Sequence, residues 1–142
     1  MNALFLFIFF LLSPELINDA IPLKIKIQNI RSSKGNIVLA IFDSPENYKN
    51  EKACFELTIS KDNMYEGALS VVLCIASGTY GIAVFDDENG DGKINYNLLG
   101  LPKEGFGFSN YYHKGFRNPK FSKFKFNHTS LSSTVIIDLR YL

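Results

Sequence analysis

From residue 23 to residue 139 the apolar side chains fall in short runs, alternating or continuous, and never settle into a sustained helical spacing. That period confines the chain to β structure. Leu23-Lys24-Ile25-Lys26-Ile27-Gln28 alternates strictly, which gives a strand one apolar and one wet face. Ile37-Val38-Leu39-Ala40-Ile41-Phe42 is apolar on both faces and predicts a central strand. Further strands are expected at 55–60, 68–73, 79–85, 121–126 and 134–139. Turn residues such as Arg31-Ser32-Ser33-Lys34-Gly35-Asn36 lie between them. Helix is confined to one turn within 45–52, after Asp43-Ser44-Pro45. About seven short strands of this kind predict an all-β fold, a single antiparallel β-sandwich.

The N-terminus reads differently. Ala3 to Leu12 is an uninterrupted apolar run, too short for a bilayer span of about 20 residues but suited to the core of a secretory signal. Ser13 and Pro14 break it, and Ala20 offers a small residue for cleavage, although no Lys or Arg precedes the run. The expected organisation is a signal peptide at 1–20 and one β-sandwich domain at 21–142. The mature chain would be exported, to the periplasm, the outer-membrane surface or the medium, without a transmembrane span. Losing residues 1–20 removes Glu15 and Asp19 and no basic residue; 14 acidic residues less two leave 12 against 15 basic, a charge of +3. So mild a charge excludes a nucleic-acid partner as the expectation. Cys54 and Cys74 are left either to bridge or to stay free thiols; with no Cys-x-x-Cys pair and no histidine cluster, neither zinc nor thioredoxin-type chemistry is suggested.

The strand at 79–85 runs straight into Asp86-Asp87-Glu88-Asn89-Gly90-Asp91-Gly92-Lys93-Ile94-Asn95. Asp87, Asn89 and Asp91 put side-chain oxygens at alternate positions, Gly92 permits the turn, Lys93 offers its carbonyl, and Asn95 adds another oxygen. Hard cations take six to eight oxygens, so this spacing points to weak Ca²⁺ binding, at about 10⁻⁴ to 10⁻³ M. Leu98 stands where an EF-hand has its bidentate Glu, so the rest must come from Asp86, Glu104 or another loop. The alternative is a metal-free turn built from Asn89-Gly90 and Asp91-Gly92.

The segment that follows carries Phe106, Phe108, Tyr111, Tyr112 and His113 among glycines. These form a candidate binding surface for an envelope protein or a glycan, or else a lid folded over the open end of the sandwich. Lys114, Arg117, Lys120, Lys123 and Lys125 form an acid-free stretch that reads as a solvated face. Catalytic signatures are thin: there is no Gly-x-Ser-x-Gly elbow and no phosphate-binding loop. The expectation is a non-enzymatic binding or structural module. A small hydrolase or isomerase using His113, Glu104 and the loop carboxylates is the alternative, and Ser109 with His113 is its weaker form.

The run from Gly78 to Asn110, with its Gly-Thr-Tyr-Gly-Ile-Ala-Val-Phe-Asp-Asp-Glu-Asn-Gly-Asp-Gly-Lys core, resembles the signature of Domain of Unknown Function 2141. Leu39-Ala40-Ile41-Phe42-Asp43-Ser44-Pro45-Glu46 is similar to an earlier segment of the same family. The resemblance spans 23–142 and implies a small exported bacterial protein. It also implies a β-sandwich of the transthyretin or carboxypeptidase-regulatory kind. It implies no activity, since the family has none established. Cys54 and Cys74 depart from its pattern.

Overall fold

The structure is a computed structural model that describes residues 20–129 and 131–142. The apolar run at 3–12 and the signal peptide expected at 1–20 lie, apart from Ala20, outside the described residues. Among the described residues, eight strands and two short helices follow in the order β1 (Ile21–Gln28), β2 (Asn36–Phe42), α1 (Pro45–Lys49), β3 (Phe55–Ser60), β4 (Leu69–Ile75), β5 (Gly78–Asp87), β6 (Phe106–Phe108), α2 (Phe121–Phe124), β7 (Phe126–His128) and β8 (Ser133–Asp138). No helix among the described residues is long and apolar enough to cross a membrane.

Two sheets form. One has the order β4-β1-β8; the other has the order β3-β2-β5-β6, with β7 also pairing β5. All pairings are antiparallel except β1 with β8, which run parallel with Ile25 opposite Val135. The alternation of β1 buries Leu23, Ile25 and Ile27 completely or nearly so, while Lys24 and Lys26 face solvent. Those three meet Ile37, Leu39 and Ile41 of β2, Ile82 and Val84 of β5, and Val135 and Ile137 of β8 in the main core. Burial of such side chains contributes roughly 1.5–3 kcal/mol each before conformational entropy is set against it.

β2 is central, as its two-faced apolar pattern requires. Its other face turns outward, where Phe42 joins Phe108, Phe121 and Phe124 in a second cluster. α1 covers part of that face. Its start is fixed by Ser44, whose Oγ accepts the Asn47 N–H at 3.1 Å, and by Pro45 in the first turn.

The strand expected at 121–126 is corrected by the structure. Phe121 and Phe124 sit three residues apart in a helical turn that drives both rings into the same cluster, and extended structure resumes only at Phe126. Conversely, Phe106-Gly107-Phe108, which lies outside every strand expected from spacing, pairs with β5 as strand β6. A Cβ on Gly107 would lie 2.7 Å from Ile137 Cγ2, so glycine lets this strand approach the core. Both cysteines are free and exposed; they border one small groove of about 260 Å³ at the edge of the sandwich.

Candidate functional site

β5 continues to Asp87, so Asp86 and Asp87 belong to its last turn of pleat and point to opposite faces. Asp86 follows Ile82 and Val84 inward. It is fully buried, paired with Lys61 Nζ at 2.5 Å, and accepts the Tyr141 hydroxyl at 2.7 Å. Lys61 Nζ also donates to the carbonyls of Ser32 and Lys34, at 2.9 and 2.6 Å. Asp86 is therefore committed to the interior and supplies nothing to the loop. Burial is the main cause that raises the Tyr141 hydroxyl pKa, reinforced by its bond to Asp86.

Asp87 turns toward the loop. Its Oδ2 accepts the Gly92 N–H at 2.8 Å, while its Oδ1 is buried and has no hydrogen-bond partner. Gly92 takes a φ of +74°, a left-handed conformation that aims its N–H at that carboxylate. Asp91 receives the Lys93 N–H at 2.9 Å and the side-chain amides of Asn95 and Asn89 at 2.9 and 3.3 Å. Those donors, the Lys93 N–H foremost, hold its pKa below the usual carboxylate value. Asn89 Oδ1 accepts the Asp91 N–H at 3.2 Å, and Asn89 Nδ2 donates to Asn95 Oδ1 at 2.9 Å.

The third carboxylate comes from farther along the chain. Residues 95–103 leave and return as a small hairpin, closed by Lys103 N to Asn95 O at 2.8 Å. The return brings Glu104 beside Asn95, whose N–H it accepts at 2.7 Å. Asp86 N donates to Gly105 O at 2.7 Å and anchors that return on β5. One oxygen each from Asp87, Asp91 and Glu104 then lies within 4.8 Å of the others. Two ligands across a calcium ion, each at about 2.3–2.6 Å, are about 4.6–5.2 Å apart at most, so the spacing fits. Glu104 is buried, and that burial first, then repulsion from Asp91, Asp87 and Glu88, raises its pKa above 4.5.

Of the metal-ligating residues expected from sequence, Asp87, Asn89, Asp91 and Asn95 converge in one network, and Lys93 contributes its N–H to it. The candidate binding residues divide. Phe106 and Phe108 lie opposite Phe85 and Ala83 on the outward face of the sheet. Phe108 packs edge-on to His113, ring centroids 6.0 Å apart, and Tyr111 is half-buried against the second cluster. Tyr112 is exposed. Arg140 Nη1 holds the segment down through the carbonyls of His113 and Gly115, at 2.8 and 2.9 Å.

The residues drawn for catalysis are occupied elsewhere. Ser109 is fully buried; its Oγ donates to Phe124 O at 2.5 Å and accepts from Ile82 N at 2.9 Å. His113 Nε2 bonds the Arg117 carbonyl, and among the described residues no hydrogen bond joins it to Glu104 or Ser109. His128 is buried between Ser133 Oγ and Ile21 O.

A family model described as "Uncharacterized protein conserved in bacteria (DUF2141)" matches residues 25–136. No curated protein and no solved structure matches the chain.

Proposed function

We propose that this chain, which belongs to the bacterial family DUF2141, is an exported, non-enzymatic binding module whose working corner is braced by calcium. The observation that carries the reading is Asp87 Oδ1: a buried, unpartnered carboxylate oxygen in the cluster where Asp91 and Glu104 converge. Leaving such an oxygen dry and unpaired is costly, and three carboxylates this close repel one another unless a cation joins them. The Asn89 and Asn95 side-chain amides stand against Asp91 as donors. Rotation of those amides offers their oxygens to the ion, and Lys93 adds its carbonyl.

Export rests on the apolar run Ala3 to Leu12 and the small residue at Ala20. The partner is an envelope protein, met at the tip of the 95–103 hairpin. There Leu98 and Leu99 are 107% and 83% exposed, on a turn stiffened by Asn97 Oδ1, which accepts the N–H groups of Leu99 and Leu101. Leucines lack the ring face on which a sugar stacks, which favours a protein over a glycan. Among the described residues no hydrogen bond joins His113, Ser109 and Glu104, and each is bonded elsewhere, which favours the binding module over the hydrolase alternative.

Thermal melting with 10 mM Ca²⁺ or with chelator tests the cation. A site of about 10⁻⁴ to 10⁻³ M stabilises by about 1.4–2.7 kcal/mol at that concentration, a rise of roughly 4–10 °C. Asp87→Asn is expected to abolish the rise. Identical melting of the wild type with calcium and with chelator rejects the reading.

A further inference from the structure

The two flanks of the sandwich differ. On one, Arg140 and Phe106 exchange backbone hydrogen bonds at 2.8 and 3.0 Å, and Val135, Ile137 and Leu139 are fully buried. On the other lie β3 and β4, each paired along one side only. There Leu57 and Ile59 of β3 and Val71, Leu73 and Ile75 of β4 face the core yet are only half-buried. An open strand edge is a template for another strand, and natural edges are usually blunted by charge, proline or a bulge. β3 carries Glu56. β4, Leu-Ser-Val-Val-Leu-Cys-Ile, has no such guard.

The direction of its backbone groups follows from its neighbour. Gln28 O accepts from Leu139 N at 3.0 Å, so Gln28 turns its peptide groups toward β8, and by alternation Lys26 and Lys24 do the same. Ile27, Ile25 and Leu23 therefore turn theirs toward β4, where they face Leu69, Val71 and Leu73. The N–H and C=O groups of Ser70, Val72 and Cys74 are left pointing off the edge, and among the described residues no hydrogen bond reaches them. The run is bounded at both ends. Ala68 is already paired with Tyr65, and Ala76 O accepts the Tyr80 hydroxyl. Evenly spaced residues with free donors and acceptors on an uncharged strand form a palindrome, which a reversed copy of the same strand matches.

We propose that two copies of this chain pair antiparallel along β4, with the twofold axis between their Val72 residues. Ser70 of each copy then faces Cys74 of the other, and every free group on the edge gains a partner. Moving the axis to Val71 or Leu73 sets Ala68 or Ala76, already engaged, opposite a free residue. On the inner face Val71 meets Leu73 of the other copy, which covers side chains that a single chain leaves half-exposed. No charge meets its like. Lys24 lies beside Val72 and would stand three strand spacings, about 14 Å, from its counterpart, beyond the screening length of about 8 Å. The joined edge is 7 residues long, about 24 Å, and about 20 Å thick for two sheets about 10 Å apart. That covers about 500 Å² per copy, and the total of about 1,000 Å² is where specific interfaces begin. The pairing is independent of the cation and of the hairpin tip.

The test is sedimentation equilibrium of the purified chain over a wide range of concentration, in calcium and in chelator. A monomer–dimer equilibrium is expected in both. Val72 is 60% exposed in the single chain, so Val72→Lys leaves the core intact while setting two ammonium groups opposite each other at the axis. It is expected to weaken association about tenfold or more. The register is read by cross-linking in a Cys54→Ser, Cys74→Ser background under a mild thiol oxidant. Val72→Cys should give a covalent dimer, because directly paired Cα atoms lie about 5.5 Å apart, within disulfide reach. Ser70→Cys should not, since it faces position 74 of the other copy. A chain that stays monomeric at every concentration, even one that captures some other strand, overturns the proposal. So does a dimer that Val72→Lys leaves intact, or one that cross-links as readily through Ser70→Cys as through Val72→Cys. A dimer that persists in chelator supports it whatever the calcium melting experiment gives.

Discussion

Replacing Lys61 by Met removes one end of the buried ion pair and leaves Asp86 inside. The lysine side chain is 2% exposed and Asp86 is fully buried, so neither charge is relieved by solvent. Asp86 would keep only the Tyr141 hydroxyl, and its Oδ1 has no hydrogen-bonding group other than the ammonium beside it. The carbonyls of Ser32 and Lys34 lose their donor as well, but they sit in the turn at 31–36, where water can replace it. The dominant cost is the uncompensated carboxylate, about 3–5 kcal/mol. Against a total of roughly 5–15 kcal/mol for a domain of this size, that is a large share. Urea unfolding is expected to show a lower midpoint with an unchanged slope. The double variant Lys61→Met with Asp86→Leu should recover most of the loss, because the pair gains little over an apolar replacement once both charges are gone. A loss under about 1 kcal/mol in the single variant, or a double variant no better than the single, refutes the reasoning.

Gly35 has a φ of +70°, and a Cβ there would fall 1.9 Å from the Asp87 carbonyl oxygen. Gly35→Ala should cost about 2–4 kcal/mol by urea unfolding; a loss under about 1 kcal/mol means the turn does not bear on β5 in this way. Glu104 has a raised pKa in the folded chain, so its protonated form favours folding, and that contribution is lost as pH climbs from 4.5 through the raised folded value. Metal-free wild type should therefore lose stability relative to Glu104→Gln as pH goes from about 4 to about 7. A difference that stays flat over that range contradicts the assignment. Both thiols of the reduced native domain should react with Ellman's reagent, Cys54 more slowly because burial holds its thiol pKa up. Fewer than two reactive thiols per chain would be inconsistent with their exposure.

Much of the architecture is readable from spacing alone. The strict alternation of 23–28 and the two-faced run at 37–42 translate directly into a strand with one buried and one solvent face and into a central strand buried on both. What spacing cannot convey is partnership. The parallel pairing of β1 with β8 joins residues more than a hundred positions apart, and no local signal specifies it. At 121–126 the phenylalanines suit a strand or a helical turn equally, and the outer cluster decides for the turn.

The site divides along the same line. Asp87, Asn89, Asp91 and Asn95 are visible because their spacing is local. Extending the strand by two residues would also have separated Asp86 from Asp87, since neighbours on a strand face opposite ways. Glu104 reaches the cluster only because the 95–103 hairpin returns the chain to β5.

The claim at the centre of this account is that the end of β5 holds a cation. Isothermal titration of the domain with CaCl₂ addresses it most directly. One site per chain is expected, with a Kd of about 10⁻⁴ to 10⁻³ M, and it should vanish in Asp87→Asn. Heats no larger than dilution in the wild type, or an isotherm that Asp87→Asn leaves unchanged, would contradict it.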